Sequence, residues 1–223
     1  MTKTANNIKY VLFDLDGTIS DSYEGITKSV VYALEKMGIT PPENREALRV
    51  FIGPSLWDSF MTHYHLDAND AERAVQYYRE YYAPHGMLDC KLYDGVRGTL
   101  TELNALGKKL ILATSKPEPA AVQILKHFGI LDLFEFAAGA SLDTSRTEKA
   151  DVIKYALKSA HASADNSIMV GDRLYDVAGA HKIGMPCIGV LYGYGDREEL
   201  EAVGADYIVS EIKDIVKIIA NGK

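Results

Sequence analysis

From residue 86 onward, short apolar runs rich in β-formers alternate with amphipathic helical patterns. Such alternation, with short links, specifies a parallel, doubly wound sheet with helices on its faces. The predicted strands are 109–113, 134–137, 167–170, 187–190 and 207–209. The predicted helices are 96–106, 118–128, 147–160, 174–182, 197–203 and 212–220. One more apolar run, Ile8-Lys9-Tyr10-Val11-Leu12-Phe13, has the same buried-strand character but lies near the start of the chain. Between it and its natural partners, residues 20–85 show helical spacing throughout, at 21–38, 43–52, 55–64 and 70–82. Ser20 or Asp21 is expected to cap the first of these helices and Gly38 to end it. The chain is therefore expected to form one α/β core, residues 1–19 and 86–223, interrupted by a helical domain over 20–85.

Composition narrows the function classes. The 223 residues suit one core with a sizeable insertion. With 24 Lys plus Arg against 31 Asp plus Glu, the formal net charge is −7, which argues against a broad nucleic-acid-binding surface. Hydrophobic residues at 47% and charged ones at 25% are globular values, which sets aside disordered and disulfide-scaffold classes. Cys90 and Cys187 lie far apart without metal-type spacing and read as reduced core thiols. No apolar run approaches the roughly 20 residues of a membrane helix. The opening residues 1–7 are polar, so a soluble, cytoplasmic chain with no membrane partner is expected.

In such sheets ligands bind beyond the carboxyl ends of the strands. The first strand delivers Asp14-Leu15-Asp16-Gly17-Thr18 to that edge, and residues two apart in an extended segment point the same way, so Asp14 and Asp16 can share a pocket. The strand ending at Ala113 delivers Thr114-Ser115-Lys116-Pro117. Pro117 suits a first helical position, so Thr114 and Ser115 are expected just before a helix N-terminus, where an anion is favoured. The strand 167–170 delivers Gly171-Asp172-Arg173-Leu174-Tyr175-Asp176; if that turn enters a helix, Asp172 and Asp176 lie one turn apart on one face. Ser145-Arg146-Thr147-Glu148 has the form of a capping box, and Lys149 after it opposes the helix dipole, a hint of another task.

Four carboxylates around one pocket repel strongly. Two charges about 4 Å apart cost roughly 4 kcal/mol at an effective dielectric of 20. A hard cation with oxygen ligands removes that cost, and Mg2+ that keeps some waters is the natural candidate. Magnesium, a carboxylate nucleophile, a hydroxyl and a lysine together describe phosphoryl transfer.

Asp14-Leu-Asp-Gly-Thr18, Thr114-Ser-Lys-Pro117, Lys149 and Gly171-Asp-Arg-Leu-Tyr-Asp176, in this order, resemble the four motifs of the haloacid dehalogenase superfamily. The likeness covers nearly the whole chain. The run Gly189-Val-Leu-Tyr-Gly-Tyr-Gly195, with Glu199-Leu200 and Gly204-Ala-Asp-Tyr-Ile208 after it, is similar to the phosphoglycolate phosphatase branch and to its 5′-nucleotidase-like relatives. The resemblance implies a Rossmann-like three-layer sandwich whose helical insertion is a cap that closes over a small phosphorylated metabolite and excludes water. It implies that Asp14 attacks phosphorus to form an aspartyl-phosphate, that Asp16 protonates the leaving alcohol and then activates water, and that Thr114 and Lys149 hold the phosphoryl oxygens. It further implies that Asp14, the Asp16 carbonyl and Asp172 hold magnesium, and that Asp176 completes the acidic site. Gly17 and Ser115 fall in the phosphate-binding segments, Ser115 replacing the commoner Asn. Arg49 is a candidate for a substrate carboxylate or second phosphate, with a solvated surface position as the equal alternative.

Within the superfamily, Asp16 argues against the dehalogenase and phosphonatase branches. Leu15 and Asp16 depart from the ion-pumping ATPases, and Thr18 favours phosphatases over sugar phosphomutases. A phosphomutase remains the alternative, a pyrophosphatase a lesser one. A phospho-acceptor signalling domain and a catalytically dead, cap-bearing binding protein are set against the chain's length and its intact acid set. No Gly-x-x-x-x-Gly-Lys run is present for a P-loop enzyme. Lys154 and Lys158 are alternatives to Lys149. Tyr77, Tyr78, Tyr81 and Tyr82 read as helix packing rather than base stacking, His63 and His65 as cap surface, and Arg173 and Tyr175 as loop-orienting residues. Oligomeric state, monomer or homodimer, is left open.

Overall fold

The computed structural model describes residues 8–143 and 145–221. The chain divides into two compact units, Met1–Ser20 with Leu92–Lys223 and Asp21–Lys91. The chain crosses between them at β2 (Ser20–Asp21) and again at β3 (Lys91–Leu92), which pair as a two-stranded sheet. The return crossing thus lies beyond the residue 85/86 boundary expected from sequence. A single π-helical turn over Tyr82–Gly86 carries the helical unit past that point.

The larger unit is built on a six-stranded parallel sheet. Its strands are β1 (Tyr10–Phe13), β4 (Lys109–Pro117), β5 (Phe134–Ala140), β6 (Ser167–Gly171), β7 (Cys187–Val190) and β8 (Tyr207–Val209), in the spatial order β5-β4-β1-β6-β7-β8. All four residues of β1 are buried, as a central parallel strand covered on both faces requires. β1 pairs with β4 on one side and β6 on the other, so the connections diverge from it and open a crevice at the carboxyl ends of these three strands. Tyr10, Leu12, Ile111, Ala113, Met169 and Cys187 project from one face of the sheet. They pack on Val152, Ile153 and Ala156 of α6 (Lys149–Ser159) and on Val177 and Ala180 of α7 (Leu174–His181). α4 (Val96–Ala105), which packs on β4, α5 (Glu118–His127), α8 (Arg197–Ala202) and α9 (Asp214–Asn221) complete the unit.

Three local expectations are corrected. β4 does not end at Ala113 but runs to Pro117, because Thr114–Pro117 keep extended backbone beside β5; Pro117 is therefore the N-cap of α5, and Pro119 takes the early helical position. The helix over 147–160 starts at Lys149 instead, with Glu148 at φ −68° and ψ 136° as an N-cap that receives no side-chain bond, so no capping box forms at Ser145. Asp143 Oδ1 accepts from both the Ser145 N–H at 3.1 Å and the Ser145 hydroxyl at 2.7 Å, which engages that hydroxyl away from the helix start.

The smaller unit is helical, as its spacing predicts. It contains α1 (Tyr23–Lys36), α2 (Leu56–Tyr64) and α3 (Ala68–Tyr81), with a 3-10 segment over Arg45–Phe51 between α1 and α2. The N-cap of α1 is Ser22, not Ser20 or Asp21, and its side chain makes no capping bond; Asp21, one residue earlier, accepts from the Tyr23 N–H at 3.1 Å, and Gly38 ends the helix with φ +73°. Tyr78 stacks on Tyr82 with ring centres 5.1 Å apart, and Tyr81 lies against both Tyr32 and His85, so the tyrosines pack within this unit.

Candidate active site

Asp14 follows β1 and continues its pairing, its N–H donating to the Val170 carbonyl at 2.9 Å. The chain then turns sharply: the Leu15 carbonyl accepts from the N–H groups of Ile19 and Ser20, each at 2.9 Å. Gly17 sits in this turn at φ +86°, and a Cβ there would come within 2.1 Å of Asp172 Oδ2. Only glycine meets both the backbone angle and the approach. The Thr18 hydroxyl donates to Asp172 Oδ1 at 3.2 Å, joining the turn after β1 to the turn after β6.

Asp172 is fully buried in that second turn, and the Tyr194 N–H donates to its other oxygen at 2.8 Å. The run 191–195 lies against both turns. The Tyr192 hydroxyl donates to the Thr18 carbonyl at 3.0 Å, and a Cβ on Gly193 would meet the Gly17 carbonyl at 2.3 Å. Asp176, in the first turn of α7, accepts from the Arg173 N–H at 3.1 Å. Glu199 Oε1 in turn accepts from Arg173 Nε at 2.9 Å and from the Leu174 N–H at 2.7 Å, holding this turn from α8. Arg173 therefore orients the loop, as expected, while Tyr175 is exposed.

Lys149 enters the crevice from the first position of α6. Its ammonium lies 2.9 Å from Asp14 Oδ1 and 2.8 Å from Asp176 Oδ1, and donates to the Ala113 carbonyl at 3.2 Å. The two carboxylate oxygens face the ammonium as charge contacts without hydrogen-bond alignment. Burial alone would pull the Lys149 pKa down; the Asp14 and Asp176 carboxylates reverse this and hold it above the usual lysine range. Burial, together with the charges of Asp176 and Asp14, holds Asp172 well above the usual carboxylate range. Asp176 is pushed up to about 6, by burial against the pull of Lys149, with the Asp14 charge adding to the rise.

Asp14, Asp172 and Asp176 each offer an oxygen to one cluster whose atoms all lie within 4.8 Å of one another. At that spacing each carboxylate pair repels by about 3–4 kcal/mol at an effective dielectric of 20. Three carboxylates and one ammonium leave −3 + 1 = −2 formal charges, buried together. The raised carboxyl pKa values are how such a cluster relieves itself with protons. A divalent cation relieves it with charge, and three converging hard oxygens fit Mg2+.

The fourth acid is elsewhere, which corrects the picture of four carboxylates around one ion. The Asp16 side chain is paired with Lys116, Nζ to Oδ2 2.7 Å, with both side chains at most one-tenth exposed. Lys116 was not singled out in the sequence, where it is one lysine among several. Its signal is positional: it is buried in the polar run Thr114–Lys116 that follows the apolar part of the strand at the carboxyl edge of the sheet. Thr114 is buried at the same edge, its hydroxyl accepting from the Lys116 N–H at 3.3 Å, and Ser115 beside it is half-buried. Arg49 lies in the helical unit, where it reaches Glu46 at 3.3 Å. Lys154 pairs with Asp151 on the exposed side of α6, and His63 lies against Phe51 within the helical unit. Cys187 is a buried core thiol raised in pKa by burial, whereas Cys90 is half-buried in the helical unit and so not a core residue.

The site therefore gathers buried acids, a buried lysine and a strand-end hydroxyl at the switch point of a parallel sheet, and the likeness to known proteins agrees. Residues 11–190 match the family of haloacid dehalogenase-like hydrolases, and the chain belongs to that family. It is 42% identical over 192 residues to a 5′-nucleotidase of Pseudomonas aeruginosa, covering 86% of each chain. It is 32% identical to a phosphoglycolate phosphatase of Chromobacterium violaceum, covering 97% of this chain and 98% of the relative. It is also 40% identical to the tyrosine-protein kinase PtkA of Mycobacterium tuberculosis, of whose length it spans 65%. The crystal structure of a predicted phosphatase from Clostridium acetobutylicum superposes with a TM-score of 0.93 at 47% identity, covering 96% of this chain and 99% of that one. Among the described residues, no helix is long and apolar enough to cross a membrane.

Proposed function

We propose that this chain is a magnesium-dependent phosphomonoesterase that moves a phosphoryl group from a small metabolite to Asp14 and then to water. The observation that carries the reading is the position of Lys149, which links Asp14 to Asp176 beside the acid cluster. A carboxylate held by a buried ammonium is aimed and kept from swinging toward its neighbours. Asp14 is thus the nucleophile, forming the acyl phosphate as the ester oxygen leaves. Asp16 protonates that oxygen and later takes a proton from the attacking water, help worth about 10²–10⁴-fold. Lys149, the Thr114 hydroxyl, Ser115 and the backbone at Gly17 receive the phosphoryl oxygens. Asp14, the Asp16 carbonyl, Asp172 and Asp176 are the residues that would hold Mg2+, which supplies positive charge against the phosphoryl oxygens. The helical domain, with Arg49, is assigned the selection of the alcohol half of the substrate.

Phosphate release with Mg2+ tests this across phosphoglycolate, nucleoside monophosphates, sugar phosphates and pyrophosphate. One ester hydrolysed at about 10⁴ M⁻¹s⁻¹ or more supports the reading. No release from any ester, or phosphotyrosine formation from ATP in its place, overturns it. Activity that appears only with a bisphosphate primer indicates a phosphomutase.

A further inference from the structure

Asp16 is held by a group the chemistry above does not use. Lys116 Nζ lies 2.7 Å from its Oδ2, and the two side chains are 6% and 10% exposed. A buried ion pair contributes little to stability compared with apolar residues of similar volume, so fold stability gives no reason to keep it. Asp16 and Lys116 stand at the carboxyl ends of the neighbouring strands β1 and β4, and Thr114 lies two residues from Lys116 on the same edge. In the phosphomonoesterase reading, on which this inference rests, Asp14 and Asp16 lie on either side of the bond that breaks. The groups beyond Asp16 therefore face the alcohol half of the substrate.

The carboxyl group that must reach the leaving oxygen is thus the one that a buried ammonium holds. Drawing it away from Lys116 with nothing in exchange leaves a buried ammonium without that counter-charge, which is costly. An anion on the alcohol half removes that cost by taking the place of the Asp16 carboxylate against Lys116. The geometry points to Lys116 as the binding residue for a second anionic group on the substrate, a carboxylate or a second phosphate, whose arrival releases Asp16 to the leaving oxygen. The substrates favoured are phosphate monoesters with a charged leaving alcohol, and nucleoside monophosphates, whose leaving nucleoside is neutral, are disfavoured. Because the exchange is completed only as Asp16 engages the leaving oxygen, the preference lies mainly in kcat.

The test compares phosphoglycolate with its neutral amide, 2-phosphoglycolamide, and with a nucleoside monophosphate, in the wild-type enzyme and in Lys116→Met and Lys116→Arg. The wild type is expected to favour phosphoglycolate over the amide by about 10²-fold in kcat/KM, mostly through kcat. Lys116→Met is expected to bring that ratio close to one, and Lys116→Arg to keep most of it. Equal use of the charged and neutral esters by the wild type overturns the assignment without any variant having to fold. A folded Lys116→Met enzyme that loses both activities equally and keeps the ratio also overturns it, leaving Lys116 as a support for Asp16. Absence of all hydrolysis would overturn the phosphomonoesterase reading itself, a result distinguishable from an active but unselective enzyme.

Discussion

The ammonium of Lys149 stands 2.9 Å from Asp14 Oδ1, with both side chains less than a tenth exposed. It also holds Asp176 at 2.8 Å, so its loss leaves two buried carboxylates without their cation. Lys149→Met is expected to destabilise the metal-free protein by about 3–5 kcal/mol, the cost of breaking a buried pair. Urea unfolding with and without Mg2+ checks this: the ion is expected to recover part of the loss. Phosphate release is expected to fall at least about 10²-fold, as for other lost groups that stabilise the transition state.

The acid cluster makes the stability of the metal-free protein depend on pH in an unusual direction. Asp176 is raised from 3.8 to about 6 in the fold, so the folded state binds its proton more tightly than the unfolded state does. This contribution is fully present below pH 3.8 and is lost as pH rises through 6, amounting to on the order of 3 kcal/mol. Asp172, raised in the same direction, adds to it. Denaturant midpoints of the metal-free protein are expected to fall between pH 5 and 7, and saturating Mg2+ to flatten or reverse the slope. A midpoint that rises through this range without metal contradicts the cluster's electrostatics.

Gly17 separates two costs of a side chain at positive φ. Gly17→Ala combines φ +86° with a Cβ 2.1 Å from Asp172 Oδ2, whereas Gly38→Ala at φ +73° meets nothing within 4 Å. Gly38→Ala is expected to cost about 1–2 kcal/mol of backbone strain and to leave turnover intact. Gly17→Ala is expected to cost about 2–4 kcal/mol and to weaken Mg2+ binding by displacing Asp172. Calorimetric Mg2+ titration of the two variants checks the contrast.

Tyr192 ties the run 191–195 to the first turn through one hydrogen bond, its hydroxyl to the Thr18 carbonyl at 3.0 Å. Tyr192→Phe keeps the ring against Tyr93 and removes only that bond. A loss of about 1 kcal/mol in unfolding free energy is expected.

Much of this architecture was legible because its signals are local and periodic. The alternation after residue 86 marks a parallel sheet, and the apolar run ending at Phe13 marks a strand separated from its partners by the helical block. The convergence of Asp14, Asp172 and Asp176 was legible too, since each follows a strand and the edge of a parallel sheet is where such residues meet. Other features depended on contacts that no spacing encodes. The Ser145 hydroxyl had two local partners available, and Asp143 prevailed over the helix start. Pro117 fits both a first helical position and an N-cap, and extension of β4 alongside β5 decides between them. The pairing of Asp16 with Lys116 spans 100 residues of sequence, and only strand order brings the two together.

The most direct test of the central claim is phosphate release by Asp14→Asn with Mg2+ and the best ester, beside a melting curve of the same sample. An amide of the same shape retains an oxygen for the metal but cannot displace an alkoxide from phosphorus. The account predicts a folded protein with kcat lowered by about 10³-fold or more, as expected when a covalent nucleophile is removed. Hydrolysis within tenfold of the wild type would contradict it, since phosphoryl transfer would then not pass through Asp14.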